Sequence, residues 1–168
     1  PSMPYDALTT SPGTFFELLR RHRYVILTDL PTATTESCSQ AAAACAKFFK
    51  EKNSSDKQAC TVHDTNLNCG YRGNQPHREH YHMRAEAGER QPWPSPAFGA
   101  AGSRASGALE AIGRLCLDAV LQGAQLPPVQ NAELGCSVFD AFWYHPLRGG
   151  DVTGCDSSVD EAVVLQGH

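Results

Sequence analysis

The sequence predicts an α+β fold, and three observations predict it. Two stretches have helical character: an alanine-rich body over residues 40–49, and residues 104–121, where Ala108, Ile112, Leu115, Ala119 and Val120 recur on one face at helical spacing. Three short runs are rich in β-branched and aromatic residues: Tyr24-Val25-Ile26-Leu27, residues 137–144, and Ala162-Val163-Val164-Leu165. Finally, 168 residues, 41% of them apolar, suffice for one ordinary domain with a real core and not for two full ones.

Taken in order, Ser11-Pro12 opens a short helix carrying Phe15, Phe16, Leu18 and Leu19. Ser11 is placed to cap it, and Pro12 suits its first position. Arg20-Arg21-His22-Arg23 complements the C-terminal end of its dipole. Tyr24 to Leu27 then reads as a buried strand, closed by Asp29-Leu30-Pro31. Thr34 or Thr35 starts the longer helix, which runs through Phe48-Phe49 with Lys47 and Lys50 near its end. Residues 51–70 are polar and predict a loop. Gly70-Tyr71-Arg72-Gly73 predicts a short extended piece. Pro92, Pro94 and Pro96 make residues 85–103 an irregular connector before the helix at 104–121. Residues 137–144 are the best strand of the second half, and Gly149-Gly150-Asp151 turns the chain toward the strand at 162–165. So few strands, so far apart, predict that the chain is the first part of something larger, with edge strands that another chain would cover.

Composition excludes several classes. A net charge of −4 leaves no basic footprint for nucleic acid. No apolar run approaches a bilayer span, and Pro1 to Tyr5 show no charged stretch followed by an apolar one. The charge is uneven, +2 over residues 1–84 and −6 over residues 85–168. Seven cysteines, an odd number with no CxxC pair, are expected to be reduced thiols of a cytoplasmic protein.

Two clusters carry candidate chemistry. His77-Arg78-Glu79-His80-Tyr81-His82 offers three histidines, with Cys60, His63 and Cys69 upstream. The spacing fits no zinc motif. The first reading is a surface strand with a salt-bridging Arg78 and Glu79, in which alternation sets His80, His82 and Arg78 on one face. A small zinc-binding module is the alternative. The second cluster runs from Tyr144-His145-Pro146 to Cys155-Asp156-Ser157-Ser158-Val159-Asp160. Residues two apart project from the same face of an extended chain, so a His and an Asp at 158 and 160 would form a two-ligand bite for iron. Residue 158 is serine, and the residues alone describe an acidic turn. No GxSxG elbow, P-loop or GxGxxG occurs.

The order of features resembles the isopenicillin N synthase-like branch of the Fe(II)- and 2-oxoglutarate-dependent oxygenases. The resemblance rests on the helix from Phe15 to His22, Arg23-Tyr24-Val25-Ile26-Leu27-Thr28-Asp29, the helix through Phe48-Phe49, Gly70-Tyr71, Arg78-Glu79-His80-Tyr81-His82-Met83-Arg84 and Trp93-Pro94. It implies an N-terminal segment over residues 1–100. Residues 101–168 would then hold a backing helix and the first strands of an incomplete double-stranded β-helix, a jelly roll of the clavaminate synthase-like kind. It implies Fe(II) and 2-oxoglutarate as cofactors and a small-molecule substrate. Tyr144 matches the family's 2-oxoglutarate-binding tyrosine. Asp160 matches the carboxylate ligand of the iron, with Ser158 at the histidine position of His-x-Asp. A serine hydroxyl is a poor replacement for imidazole on iron, and His168 lies too near Asp160 to be the family's distal histidine. The resemblance therefore implies a chain with no catalytic residue of its own that is incomplete or inactive alone. A non-catalytic binding or structural relative, completed by a partner chain, is the second reading.

Overall fold

A computed structural model of the chain describes residues 1–51, 53–62, 69–75, 78–129, 138–144 and 163–167. The described residues form two compact units, drawn from Pro1–Ser37 with Ala105–Gly135, and from Cys38–Arg104 with Cys136–His168. Each is built around its own apolar cluster.

In the first unit, strand β1 (Ser2–Pro4) pairs in parallel with β2 (Ile26–Thr28), in the register Ser2 to Ile26, Met3 to Leu27 and Pro4 to Thr28. Between them lie α1 (Ala7–Thr10) and α2 (Pro12–His22). Pro12 occupies the first turn of α2 as expected, whereas the Ser11 side chain makes no capping bond. The helix instead closes at its far end, where Arg23 takes a left-handed conformation (φ 69°) and donates its N–H to the Leu19 carbonyl at 2.8 Å. Met3, Leu8, Phe15 and Ala119 are the buried centre, with Leu18, Leu19, Val25, Leu27 and Leu115 against them. The expectation of a buried strand at 24–27 needs correction. The paired residues are Ile26–Thr28, and Tyr24 and Ile26 are each 57% exposed. A two-stranded ribbon buries one face only, so Val25 and Leu27 turn inward while their neighbours face out.

The second unit carries the sheet. Helix α3 (Thr32–Glu51) enters it, followed by α4 (Ser54–Ala59). Strands β3 (Gly70–Gln75), β4 (Arg78–Arg84), β5 (Val138–Tyr144) and β6 (Val163–Gly167) pair antiparallel in the spatial order β3-β4-β5-β6. Helix α5 (Pro96–Gly123) starts here. Two expectations fail. Part of the polar stretch read as a loop is α4, which Asn53 caps by accepting the Asp56 N–H at 2.9 Å. Part of the connector read over 85–103 is the beginning of α5, with Pro96 at its first position, preceded by a short 3-10 segment over Ala85–Arg90.

One face of this sheet is core. Phe48 on α3 meets Tyr71, Tyr81 and Phe98 edge-to-face, with ring centroids 5.9, 5.8 and 5.6 Å away. Gly102 lets α5 approach β4 closely, because a Cβ there would stand 2.5 Å from the Met83 sulfur. A buried ion pair ties the helices to β4. Lys57 Nζ donates to Glu79 Oε2 at 2.7 Å and to the Phe49 carbonyl at 2.8 Å. Glu79 pairs with Lys57, and β4 is an inner strand of the described sheet rather than a surface one. Beyond β4, the buried side chain of Gln91 acts as a clip. Its amide donates to Tyr81 Oη and to the His82 carbonyl, and its oxygen accepts the Arg84 N–H, each at 3.1 Å. Tyr81 in turn donates to the Pro92 carbonyl.

Candidate functional site

Alternation gives β4 its second role. Glu79, Tyr81 and Met83 belong to the core side, so Arg78, His80 and His82 project from the opposite face. The register brings matching residues of β5 beside them: His82 faces Asp140, His80 faces Phe142, and Arg78 faces Tyr144. On the other side Arg72 of β3 is opposite His80. The expectation that His80, His82 and Arg78 share a face therefore holds. What alternation along β4 could not show is the partner strand.

Nδ1 of His82 and Oδ1 of Asp140 are in direct hydrogen-bonding contact. Asp140 is only 5% exposed. The carboxylate fixes the imidazole orientation and leaves Nε2 as the nitrogen for any other partner. The His80 ring packs edge-on against His82 at 4.5 Å and tilts against Phe142 at 5.6 Å. Its Nδ1 is buried with no hydrogen-bond partner. Burial, reinforced by positive charge on His82 and Arg78, pushes His80 down to about 4, so it is a neutral ring at physiological pH. Phe142 continues the face toward solvent: the Arg78 guanidinium lies 5.4 Å from its ring centre, and Tyr144 stacks on it at 6.3 Å.

Of the residues singled out by sequence, Tyr144 ends β5 on this face and is 43% exposed. Ser158 and Asp160 lie outside the described residues, as do His145, Pro146, His63, His77 and His168. Cys60 and Cys69 are buried free thiols, and Cys38, Cys45 and Cys116 are also free. Burial raises the thiols of Cys38, Cys69 and Cys116 and pushes Cys45 up to about 12, which leaves them protonated and poor nucleophiles or metal ligands. Among the described residues, no three His, Cys, Asp or Glu side chains are placed to hold a metal ion. Also among them, no helix is long and apolar enough to cross a membrane. The sequence reading missed Asp140 and Phe142. Their signal was a lone acid within an aromatic strand, at positions two and four residues before Tyr144 and hence on its face.

No family model and no curated protein matches the chain. Solved structures do match. A C-terminally truncated Neurospora crassa protein in apo form superposes with a TM-score of 0.72 at 15% identity, over 86% of this chain and 61% of that one. A 2OG-Fe(II) oxygenase family protein from Caulobacter crescentus gives 0.67 at 19% identity, over 88% and 56%. The dioxygenase for auxin oxidation 1 from Arabidopsis thaliana, in complex with 2-oxoglutarate, gives 0.61 at 14%, over 86% and 57%. The chain thus spans between half and two thirds of the structures it matches. With helices backing an antiparallel sheet of four strands, it has the fold of the 2-oxoglutarate- and Fe(II)-dependent oxygenases, the jelly-roll class that its sequence motifs suggested.

Proposed function

We propose that this chain is a small-molecule-binding member of the 2-oxoglutarate oxygenase class, and that Ser158 at the iron-ligand position keeps it from turning over. The observation that carries the reading is the polar face of β4 and β5, within a fold matched over 86% of the chain. 2-Oxoglutarate is a dicarboxylate, and the Tyr144 hydroxyl, with Arg78 as its cross-strand neighbour, supplies a donor and a positive charge that suit one of its carboxylates. Fe(II) fits this chain poorly. The His-x-Asp position holds Ser158 and Asp160, and a neutral hydroxyl is a weak donor to iron. Ser158 equally favours the second reading, a non-catalytic relative that binds a ligand and whose outer strands β3 and β6 a partner chain would extend.

Calorimetric titration with 2-oxoglutarate tests the proposal. Saturable binding is expected, and Tyr144→Phe should weaken it about tenfold, the worth of one hydrogen bond to a charged group. Ser158→His should tighten Fe(II) binding, read anaerobically. No saturable binding, or binding indifferent to Tyr144→Phe, refutes the reading. Decarboxylation of 2-oxoglutarate by the unaltered chain would refute the claim that Ser158 disables it.

A further inference from the structure

The His82–Asp140 pair is not accounted for by stability alone. A buried carboxylate holding one imidazole nitrogen, beside a second imidazole with an unpartnered buried nitrogen, is a poor arrangement for a core and a good one for recognition. Among the described residues, the charged groups that the register sets around the pair are Arg72 on β3, Arg78 on β4 and Asp140 on β5, with the neutral His80 ring between them. Next to the pair, Phe142 and Tyr144 form a stacked aromatic platform whose outer ring is open to solvent.

We infer that this face binds a small planar ring bearing a weakly acidic N–H or O–H, with His82 as its hydrogen-bonding partner and Asp140 as the residue that positions His82. The ring stacks on the Phe142 side, and its acidic proton lies between the ligand atom and His82 Nε2. Either proton position preserves that hydrogen bond, and Arg78 favours the ionised ligand. A ring without an acidic proton leaves His82 and the buried Asp140 without their third member. Discrimination against such a ring is therefore stronger than its lost contact area suggests.

This names the ligand class of the face assigned above and rests on that reading only for the face's being a small-molecule site. The probe is 4-nitrophenol, whose ionisation is visible, titrated into the full chain about one unit below the probe's own pKa, with nitrobenzene as the matched ring lacking the proton. Expected are saturable binding, growth of the phenolate band on binding, and at least tenfold weaker binding of nitrobenzene. His82→Gln and Asp140→Asn should each weaken 4-nitrophenol at least tenfold and leave nitrobenzene unchanged, with circular dichroism confirming the fold. His82→Gln should leave 2-oxoglutarate binding intact. Equal binding of the two rings, no binding of 4-nitrophenol, or affinity unchanged in folded His82→Gln overturns the inference. If 4-nitrophenol binds as stated while 2-oxoglutarate does not bind at all, the oxygenase-class reading fails and the recognition site stands.

Discussion

Replacing Lys57 by methionine isolates the buried ion pair that joins α3 and α4 to β4. The side chains of Lys57 and Glu79 are 10% and 14% exposed, with Nζ and Oε2 2.7 Å apart. At an effective dielectric of about 20, that separation gives a gross attraction of roughly 6 kcal/mol, most of which offsets the cost of removing both ions from water. The net value of the pair is thus small, while the cost of breaking it is not. Lys57→Met leaves the Glu79 carboxylate buried, with the Tyr71 hydroxyl as a remaining donor, at a cost of about 3–5 kcal/mol. It also strips a donor from the Phe49 carbonyl, adding about 1 kcal/mol. The double variant Lys57→Met/Glu79→Met keeps that last loss, takes the acceptor from the Tyr71 hydroxyl and should cost about 2–3 kcal/mol. Urea unfolding followed by circular dichroism at neutral pH gives each value from the midpoint and slope. A Lys57→Met cost below about 1 kcal/mol, or a double variant as costly as the sum of the singles, would refute the reasoning.

His80 should make stability depend on pH. Its folded value of about 4 lies below the ordinary 6.5, so the unfolded chain takes up a proton first as the pH falls. Stability is full above about 6.5, declines toward 4 and then levels, a loss of roughly 3 kcal/mol. The urea midpoint of the unaltered chain should fall relative to that of His80→Phe as the pH drops through that window, and parallel profiles would count against it. Gln91→Leu should cost about 2–3 kcal/mol by removing its hydrogen bonds to the Arg84 N–H, the His82 carbonyl and the Tyr81 hydroxyl, and amide exchange should speed up at Arg84 first. Gly70→Ala should cost at least about 1–2 kcal/mol, because Gly70 has φ +83° and a Cβ there would run into the Cys60 carbonyl. An unchanged melting temperature would contradict this.

Much of the architecture was legible in the sequence because it follows local periodicity. The 137–144 run became β5, and the face of β4 carrying His80 and His82 was readable from alternation alone. The failures had local causes as well. The residues of α4, Ser54-Ser55-Asp56-Lys57-Gln58-Ala59, have no apolar stripe, and Lys57 is buried by an ion pair that no periodicity encodes. Pro96 reads equally as a breaker and as a helix start. Gln91 lies within the stretch read as an irregular connector, yet its three hydrogen bonds clip the end of β4. Asp140 pairs with His82 across 58 positions of chain, a distance that only strand register closes.

The parity of β4 separates two jobs by residue number. Odd positions 79, 81 and 83 answer to the core, while positions 78, 80 and 82, with 140, 142 and 144 on β5, make up the opposite face. A combinatorial library confined to the partly exposed even positions 78, 82, 142 and 144 should therefore reshape recognition while the scaffold stays folded. The same diversity placed on the odd positions should yield mostly aggregates. A single-residue insertion within β4 exchanges the two sets at once and is expected to abolish both properties together.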